Sequence, residues 1–127
     1  MTHPNKTKGN GYERELVASA RESGLPAERA YASNGKSLGH SEDVDCLIGG
    51  KRVQAKRRKT LASFLKPTES VDAVAFREDR GETFVLTTWW EWLDLVSAAR
   101  EYKRLERKVR HGCTDMNCEE CDGSSTN

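Results

Sequence analysis

The chain is organised around the segment Asp43-Val44-Asp45-Cys46-Leu47-Ile48-Gly49-Gly50-Lys51-Arg52-Val53-Gln54-Ala55-Lys56. Its two arms predict short strands, and its Gly-rich middle predicts a tight hairpin turn. If the loop has two residues, whichever adjacent pair of Gly49-Gly50-Lys51 forms it, odd-numbered positions of the first strand pair with even-numbered positions of the second. Asp45 is therefore expected opposite Gln54 or Lys56, on a shared face of the sheet.

A carboxylate, an amide oxygen and a lysine on one sheet face indicate a binding site. Placing these groups together costs desolvation energy that an ordinary core avoids, and a divalent metal ion with a phosphate group would offset that cost. We therefore predict a metal-and-phosphate site of the kind that nucleases use. The alternative is a cross-strand ion pair between Asp45 and Lys56, worth a few tenths to about 1 kcal/mol. Such a pair does not explain the core-facing position expected for a third charged residue, Glu13.

Glu13 is the second acid of the predicted site. The residues from Gly9 to Gly24 predict a helix, and Glu13 precedes three of its apolar positions by three, four and seven residues. These positions are Leu16, Val17 and Ala20. The carboxylate is therefore expected at the core-facing edge of the helix, where a charge is costly unless it serves a site.

The rest of the chain predicts an α/β order. A strand is expected from Arg29 to Ser33, and two further strands are expected at Val71–Arg77 and Glu82–Thr87. A final helix begins near Thr88, whose side chain is expected to cap it, with Glu91 three residues on as in a capping box. We interpret its apolar stripe as core rather than as a platform for stacking bases. The stripe consists of Trp89, Trp92, Leu93, Val96 and Ala99.

Length and composition limit the architecture. The chain has 127 residues, of which 35% are hydrophobic and 32% are charged, and this size fits one domain. We expect that domain over residues 1–110 and an acidic, cysteine-containing tail over residues 111–127. No apolar run is long enough to span a bilayer, and residues 1–6 lack the apolar stretch of a signal peptide. A soluble, intracellular and cytoplasmic protein is expected, and membrane proteins are excluded.

The net charge of +1 hides an uneven distribution. The tail holds four acids and no Lys or Arg, so residues 1–110 carry 21 basic side chains against 16 acidic ones, a formal charge of +5. Lys8 precedes the first predicted helix, and six basic residues fall within nine positions near the predicted acidic site. This distribution favours a phosphate backbone as the partner. The six are Lys51, Arg52, Lys56, Arg57, Arg58 and Lys59.

The tail also carries four side chains of the types that bind zinc. They are His111, Cys113, Cys118 and Cys121. Together they provide enough ligands for a structural Zn²⁺ site in one small loop. The alternative is a disordered acidic tail with free thiols, and the residues alone leave both interpretations open.

Four stretches of the chain share the pattern of a known family. They are Lys8-Gly9-Asn10-Gly11-Tyr12-Glu13-Arg14-Glu15-Leu16-Val17, Ser33, Val44-Asp45 and Val53-Gln54-Ala55-Lys56. In this pattern the chain resembles the archaeal-type Holliday junction resolvases of the PD-(D/E)xK nuclease superfamily, including members carried by phages. The similarity runs from about Lys8 to Leu86, and its opening block is the most specific part.

The resemblance implies a restriction-endonuclease-like fold, in which a central mixed β-sheet is flanked by helices. It implies an enzyme that uses Mg²⁺ or Mn²⁺ to hydrolyse DNA phosphodiester bonds at four-way junctions, and that works as a homodimer because such a junction is close to two-fold symmetric. Glu13 would be the helix-borne acid, Asp45 the main metal-binding carboxylate and Gln54 the third metal-site position. Lys56 would be the catalytic lysine. With the basic residues noted above, the expected DNA-binding set is Lys8, Arg14, Ser33, Arg57, Arg58 and Lys59.

The chain departs from the family at the third metal-site position. That position is usually Glu, whereas Gln54 offers a neutral oxygen, so weaker metal binding is expected. Asp43 lies about 7 Å from Asp45 along the predicted strand and is interpreted as outside the ligand set. A junction-selective endonuclease is the favoured function. The alternatives are a related nuclease acting on flapped, nicked or linear DNA, and a DNA-binding module of the same fold with weak or no catalysis.

Overall fold

The computed structural model describes residues 4–30 and 35–112, and these ranges form a mixed α/β structure. Five short strands lie between two helices along the chain, with single 3₁₀ turns at Gly35–Leu38 and Ser63–Leu65. The predicted α/β class is confirmed. In chain order the elements are α1 (Pro4–Glu22), β1 (Ala27–Arg29), β2 (Cys46–Ile48), β3 (Lys51–Val53), β4 (Ala73–Phe76), β5 (Phe84–Thr87) and α2 (Trp89–Arg110).

The predicted hairpin is present and forms the centre of a three-stranded antiparallel sheet. The strand order is β1-β2-β3, and Ile48 pairs with Lys51 across a two-residue loop. Both loop residues have positive φ, +58° at Gly49 and +82° at Gly50, a conformation that glycine adopts without a steric cost. The register therefore pairs odd-numbered with even-numbered positions, as the sequence predicted.

The main core lies between this sheet and the two helices. Val44, Cys46 and Ile48 alternate along and just before β2 and are all buried, so they define the inner face of the sheet. Helix α1 contributes Leu16, Val17 and Ala20 to the buried residues, and α2 contributes Leu93 and Val96. The helix predicted from Gly9 to Gly24 in fact begins at Pro4 and ends at Glu22. Proline is favoured at the first helical position because its fixed φ suits the helix and its missing N–H is not needed there.

Helix α2 is capped and docked as expected at its N-terminal end. The Thr88 side chain accepts a hydrogen bond from the Glu91 N–H at 3.3 Å. Trp89 and Trp92 stack with their ring centroids 5.3 Å apart and pack against the core, and the Trp89 indole N–H donates to Ser19 Oγ of α1 at 2.8 Å. The core interpretation of these two tryptophans is confirmed.

The apolar stripe of α2 ends earlier than predicted. Ala99 is exposed, whereas Val96 is buried. Arg100, one turn after Val96, lies over the hairpin loop and donates from Nη1 to the Gly49 carbonyl at 3.1 Å. The face of α2 that contacts the sheet thus continues from position 96 to position 100, which leaves Ala99 at the surface.

The second hairpin forms a sheet of its own. Strands β4 and β5 pair antiparallel from Ala73 with Thr87 to Phe76 with Phe84. The connection lies where the sequence predicted it, with φ of +61° at Arg80 and a hydrogen bond from the Gly81 N–H to the Glu78 carbonyl at 2.9 Å. Both strands are shorter than predicted.

The single central mixed sheet is not found in the described ranges, which contain two separate antiparallel sheets instead. Strand β3 ends at Val53, and the residues after it are polar and mostly exposed, including four consecutive cations from Lys56 to Lys59. Such a segment gains little by burial, so it does not extend β3 toward β4. The first strand is also displaced, because β1 spans Ala27–Arg29 rather than Arg29 to Ser33, and residues 31–34 lie outside the described part of the chain.

Neither α1 nor α2, the two α-helices of the described ranges, has the combined length and apolar character that crossing a bilayer requires.

Replacing Gly49 by Ala is expected to lower the free energy of unfolding by about 2–4 kcal/mol. The added Cβ would lie 2.8 Å from Cγ1 of the buried Val96, and the backbone would keep a φ of +58° that Ala disfavours. Gly50→Ala is the matched control. It shares the positive φ, but its nearest neighbour is the Arg100 Nη1 at 3.9 Å, so it should lose only about 1 kcal/mol. Urea unfolding measures both, and equal losses would contradict the predicted clash with Val96.

Candidate functional site

Glu13 is a buried acid on α1 with a cationic partner on the sheet. It is only 5% exposed, and its Oε2 lies 3.3 Å from Nε of Arg29 in β1. Arg29 pairs with Cys46 in the sheet register, and paired residues project to the same face, so Arg29 is on the side that faces α1. The predicted core-facing position of Glu13 is confirmed. Arg29 was missed, although a cation two positions after Ala27, on the inward face of a short strand, was a usable signal.

Asp45 is held at the start of β2 by hydrogen bonds to both neighbouring strands. Its main chain accepts from the Ala30 N–H at 2.9 Å and donates to the Val53 carbonyl at 2.9 Å. Its Oδ2 accepts from the Ala55 N–H at 2.7 Å. The carboxylate is therefore fixed against the chain just beyond β3, in the neighbourhood of Gln54, as the hairpin register predicts.

The thiol of Cys46 lies within electrostatic reach of both acids. Burial, then the Asp45 carboxylate and then the Glu13 carboxylate together raise the pKa of Cys46 from 9.0 to about 11, while the Arg29 guanidinium acts in the opposite direction. Each of these charges shifts the pKa in the direction that its sign requires. Glu13, Arg29 and Cys46 lie on the inner side of the sheet, and Asp45 directly precedes Cys46 at the start of β2. We call these four residues the β2 cluster.

Gln54 and Lys56 are near this cluster in sequence but lie at the surface. Both are exposed, and they alternate with the half-buried Val53 and Ala55. Among the described residues, Asp45 and Lys56 do not form an ion pair. The cross-strand ion pair considered as an alternative therefore does not hold Asp45 in place. Lys56 directly follows Ala55, whose N–H binds the Asp45 carboxylate.

The donors of the β2 cluster suit a hard cation only in part. Within residues 4–30 and 35–112, no three His, Cys, Asp or Glu side chains form a metal-binding group. The predicted set holds two carboxylates, Glu13 and Asp45, and takes its third oxygen from the exposed amide of Gln54. Carboxylate and amide oxygens are ligands that Mg²⁺ and Mn²⁺ accept, but Glu13 is already paired with Arg29 and one Asp45 oxygen is already hydrogen-bonded.

The predicted DNA-binding residues fall into three groups. Arg14 is exposed beside Glu13 on α1, and Lys8 lies one to two turns earlier in the same helix. The run from Arg57 to Lys59 is exposed directly after Lys56. Ser33 lies outside the described residues. Along the chain, Arg14 directly follows Glu13, and the run from Arg57 to Lys59 directly follows Lys56.

The predicted zinc ligands cannot be placed together. His111 ends α2 as its C-terminal cap, with its N–H bonded to the Arg107 carbonyl at 3.0 Å. Cys113, Cys118 and Cys121 lie outside the described residues. The zinc site therefore stays a prediction.

Cys46 is expected to resist alkylation in the folded protein. With a pKa of about 11 against an ordinary value of 9.0, its thiolate fraction at pH 8 is about a hundredfold below that of an unfolded chain, and burial excludes the reagent as well. Iodoacetamide labelling followed by peptide mass spectrometry, in buffer and in urea, measures the ratio. Equal labelling rates in the two conditions would contradict the prediction.

The same raised pKa links stability to alkaline pH. The pKa of Cys46 is higher in the folded than in the unfolded chain, so the protonated thiol contributes fully to the free energy of unfolding below pH 9. This contribution is lost as the pH rises from about 9 to about 11. Cys46→Ala should remove this part of the pH dependence of the urea midpoint.

Comparison with known proteins yields no relative for this chain. No protein-family model matches it, and neither a curated protein nor a solved structure does.

Proposed function

We propose that the chain is a metal-dependent, structure-selective DNA endonuclease that cuts four-way junctions, similar to the archaeal-type Holliday junction resolvases of the PD-(D/E)xK superfamily. The observation that carries this proposal is the β2 cluster. Glu13 is buried on the first helix beside Arg29, and the Asp45 carboxylate at the start of a hairpin strand is held by the Ala55 N–H. The burial of Glu13 is costly for a surface helix and is explained if the carboxylate serves a site.

Each side chain has a defined part in the proposed chemistry. Asp45 and Glu13, with Gln54, would hold Mg²⁺ or Mn²⁺, which when bound supplies Lewis acidity at a phosphate oxygen. Asp45 is presented in a fixed orientation because the Ala55 N–H holds one of its oxygens. Lys56, one residue further, would stabilise the negative charge that grows on the phosphate during attack by water.

The exposed cations would bind the DNA backbone. Arg14 is next to Glu13, and Arg57 to Lys59 follow Lys56, so the phosphate-binding groups begin at the catalytic residues themselves. Lys8 and Ser33 would extend this contact. The basic charge of residues 1–110 supports such a partner. A homodimer in the cytoplasm, with a restriction-endonuclease-like arrangement of each subunit, completes the proposal, because a two-fold symmetric junction needs two opposed cuts.

A second candidate is a DNA-binding module that does not cut. The ion pair between Glu13 and Arg29 favours it, since the guanidinium neutralises one of the two carboxylates that a metal ion requires. The neutral and exposed Gln54 favours it too. Under this interpretation the β2 cluster stabilises the packing of α1 on the sheet, and the cations alone carry the function.

One cleavage experiment separates these functions. End-labelled four-way junction, flap, nicked duplex and linear duplex of the same sequence are incubated with the protein in Mg²⁺, Mn²⁺ or Ca²⁺. Paired nicks on opposed strands of the junction, in Mg²⁺ or Mn²⁺ and not in Ca²⁺, are the expected result. Cutting confined to flap or linear DNA would replace the junction by another target. Binding of the junction without any cutting would support the non-enzymatic candidate.

A further inference from the structure

A large groove lies at the loop end of the β2–β3 hairpin. Its walls are the Gly49-Gly50 loop with Lys51, the α1–β1 connection from Ser23 to Glu28, and the C-terminal half of α2. Its volume is about 1250 Å³. Asp45 and Gly49 are four residues apart along β2, which at about 3.3 Å per residue corresponds to about 13 Å. The groove is thus separate from the β2 cluster but close enough for one extended ligand to reach both.

The charged residues that line the groove are mainly cations. Six basic side chains face three acidic ones, and four of the six are arginines on α2. Glu101 pairs with Arg104 at 2.6 Å and Glu106 pairs with Arg110 at 3.6 Å, which are exposed contacts within the helix and are individually weak. The basic residues are Lys51, Arg100, Lys103, Arg104, Arg107 and Arg110, and the acidic residues are Glu28, Glu101 and Glu106.

Two of the arginines are held in place by the protein, unlike side chains that extend freely into solvent. Arg100 donates from Nη1 to the Gly49 carbonyl at 3.1 Å, which fixes its guanidinium at the mouth of the hairpin loop. Arg107 has a buried Nε with no hydrogen-bond partner among the described residues. A buried donor without an acceptor costs free energy, so Arg107 is held in this position at a cost that a freely solvated side chain would avoid. The planar guanidinium also matches phosphate oxygens in pairs.

We propose that this groove binds the phosphate backbone of duplex DNA, as a second contact surface beside the β2 cluster. The inference rests on the proposed function in that it takes DNA as the ligand. Arginines 100, 104, 107 and 110 follow one side of α2 over ten residues, about 15 Å at 1.5 Å per residue, so they can contact several successive phosphates. A duplex that reaches both the groove and Asp45 would be positioned by the groove and cut at the β2 cluster.

Binding measured without cutting tests the groove. Full-length protein and a labelled 30-base-pair duplex are mixed in EDTA, and anisotropy gives the dissociation constant over a series of salt concentrations. The groove variant is Lys51→Gln with Lys103→Gln, because both side chains are exposed and neither has an ion pair within residues 4–30 and 35–112. The matched control is Lys66→Gln with Arg77→Gln, two exposed cations outside the groove that remove the same charge.

The groove variant is expected to bind at least about tenfold more weakly at 150 mM salt, with a salt slope lower by about 1 to 2, whereas the control stays within about twofold. Arg107→Gln should weaken binding in the same direction. Equal affinities of groove variant and control would overturn the proposal.

The cleavage assay keeps the two proposals distinct. If the wild type cuts junctions while the groove variant binds as the control does, only the groove proposal fails. If the groove variant loses affinity and no DNA is ever cut, the groove proposal stands as a DNA-binding surface and the endonuclease proposal fails.

Discussion

Asp45→Ala is expected to reduce junction cleavage in Mg²⁺ by at least about a thousandfold while leaving junction affinity in EDTA within about twofold. The carboxylate would provide the principal charge for the metal ion, and its Oδ2 is fixed by the Ala55 N–H at 2.7 Å. Because the cations proposed to bind DNA are other side chains, binding should survive. Rates from single-turnover cleavage of the labelled junction, with affinities from anisotropy, measure the two effects separately.

Two further variants show whether the loss is specific. Asp45→Asn keeps an oxygen that can accept from the Ala55 N–H but removes the charge, so it should be as inactive as the Ala variant. Asp43→Ala removes the same charge two residues earlier from an exposed position and should retain at least about half of the wild-type rate. Equal losses in the Asp43 and Asp45 variants would indicate a general electrostatic effect on DNA binding and would contradict a metal-binding role for Asp45.

The parts of the fold that follow from local chemistry were predictable. Two adjacent glycines between short strands determine the loop and therefore the register, because only a conformation with positive φ closes so tight a hairpin. Thr88 with Glu91 predicts the start of α2 through hydrogen bonds that form within one turn. The inward position of Glu13 follows from its spacing to the apolar residues of its own helix.

The features that could not be predicted from the sequence depend on contacts between distant segments. The Glu13–Arg29 pair joins residues 16 positions apart in sequence, and no local pattern selects Arg29 from the other cations of the chain. Whether the second sheet joins the first depends on residues 54–72. These residues would have to gain more free energy from burial than they lose in solvation, and that sum extends over the whole segment. The exposure of Gln54 and Lys56 arises in the same way, because the strand ends at Val53 and its pairing does not constrain them.

Arg29→Met is expected to lower the free energy of unfolding by about 2–4 kcal/mol in EDTA. The substitution removes a cation from a carboxylate whose side chain is only 6% exposed. Breaking a buried ion pair typically costs about 3–5 kcal/mol, and the cost here should be somewhat less because the Arg29 side chain is 25% exposed. Glu13→Gln should cost less than Arg29→Met, since the cation that it leaves behind can reach solvent. The double variant should be more stable than Arg29→Met alone.

Magnesium then distinguishes a structural pair from a metal site. If Glu13 is a ligand, removing the competing guanidinium strengthens metal binding, and Mg²⁺ at ten times its dissociation constant should restore about 1.4 kcal/mol to Arg29→Met. It should restore little to the double variant, in which the Glu13 charge is absent. Urea unfolding of the wild type and the three variants, with Mg²⁺ and with EDTA, gives all eight values. If Mg²⁺ changes the stability of Arg29→Met and of the double variant equally, the Glu13–Arg29 pair only holds α1 on the sheet, and the endonuclease proposal loses its helix-borne ligand.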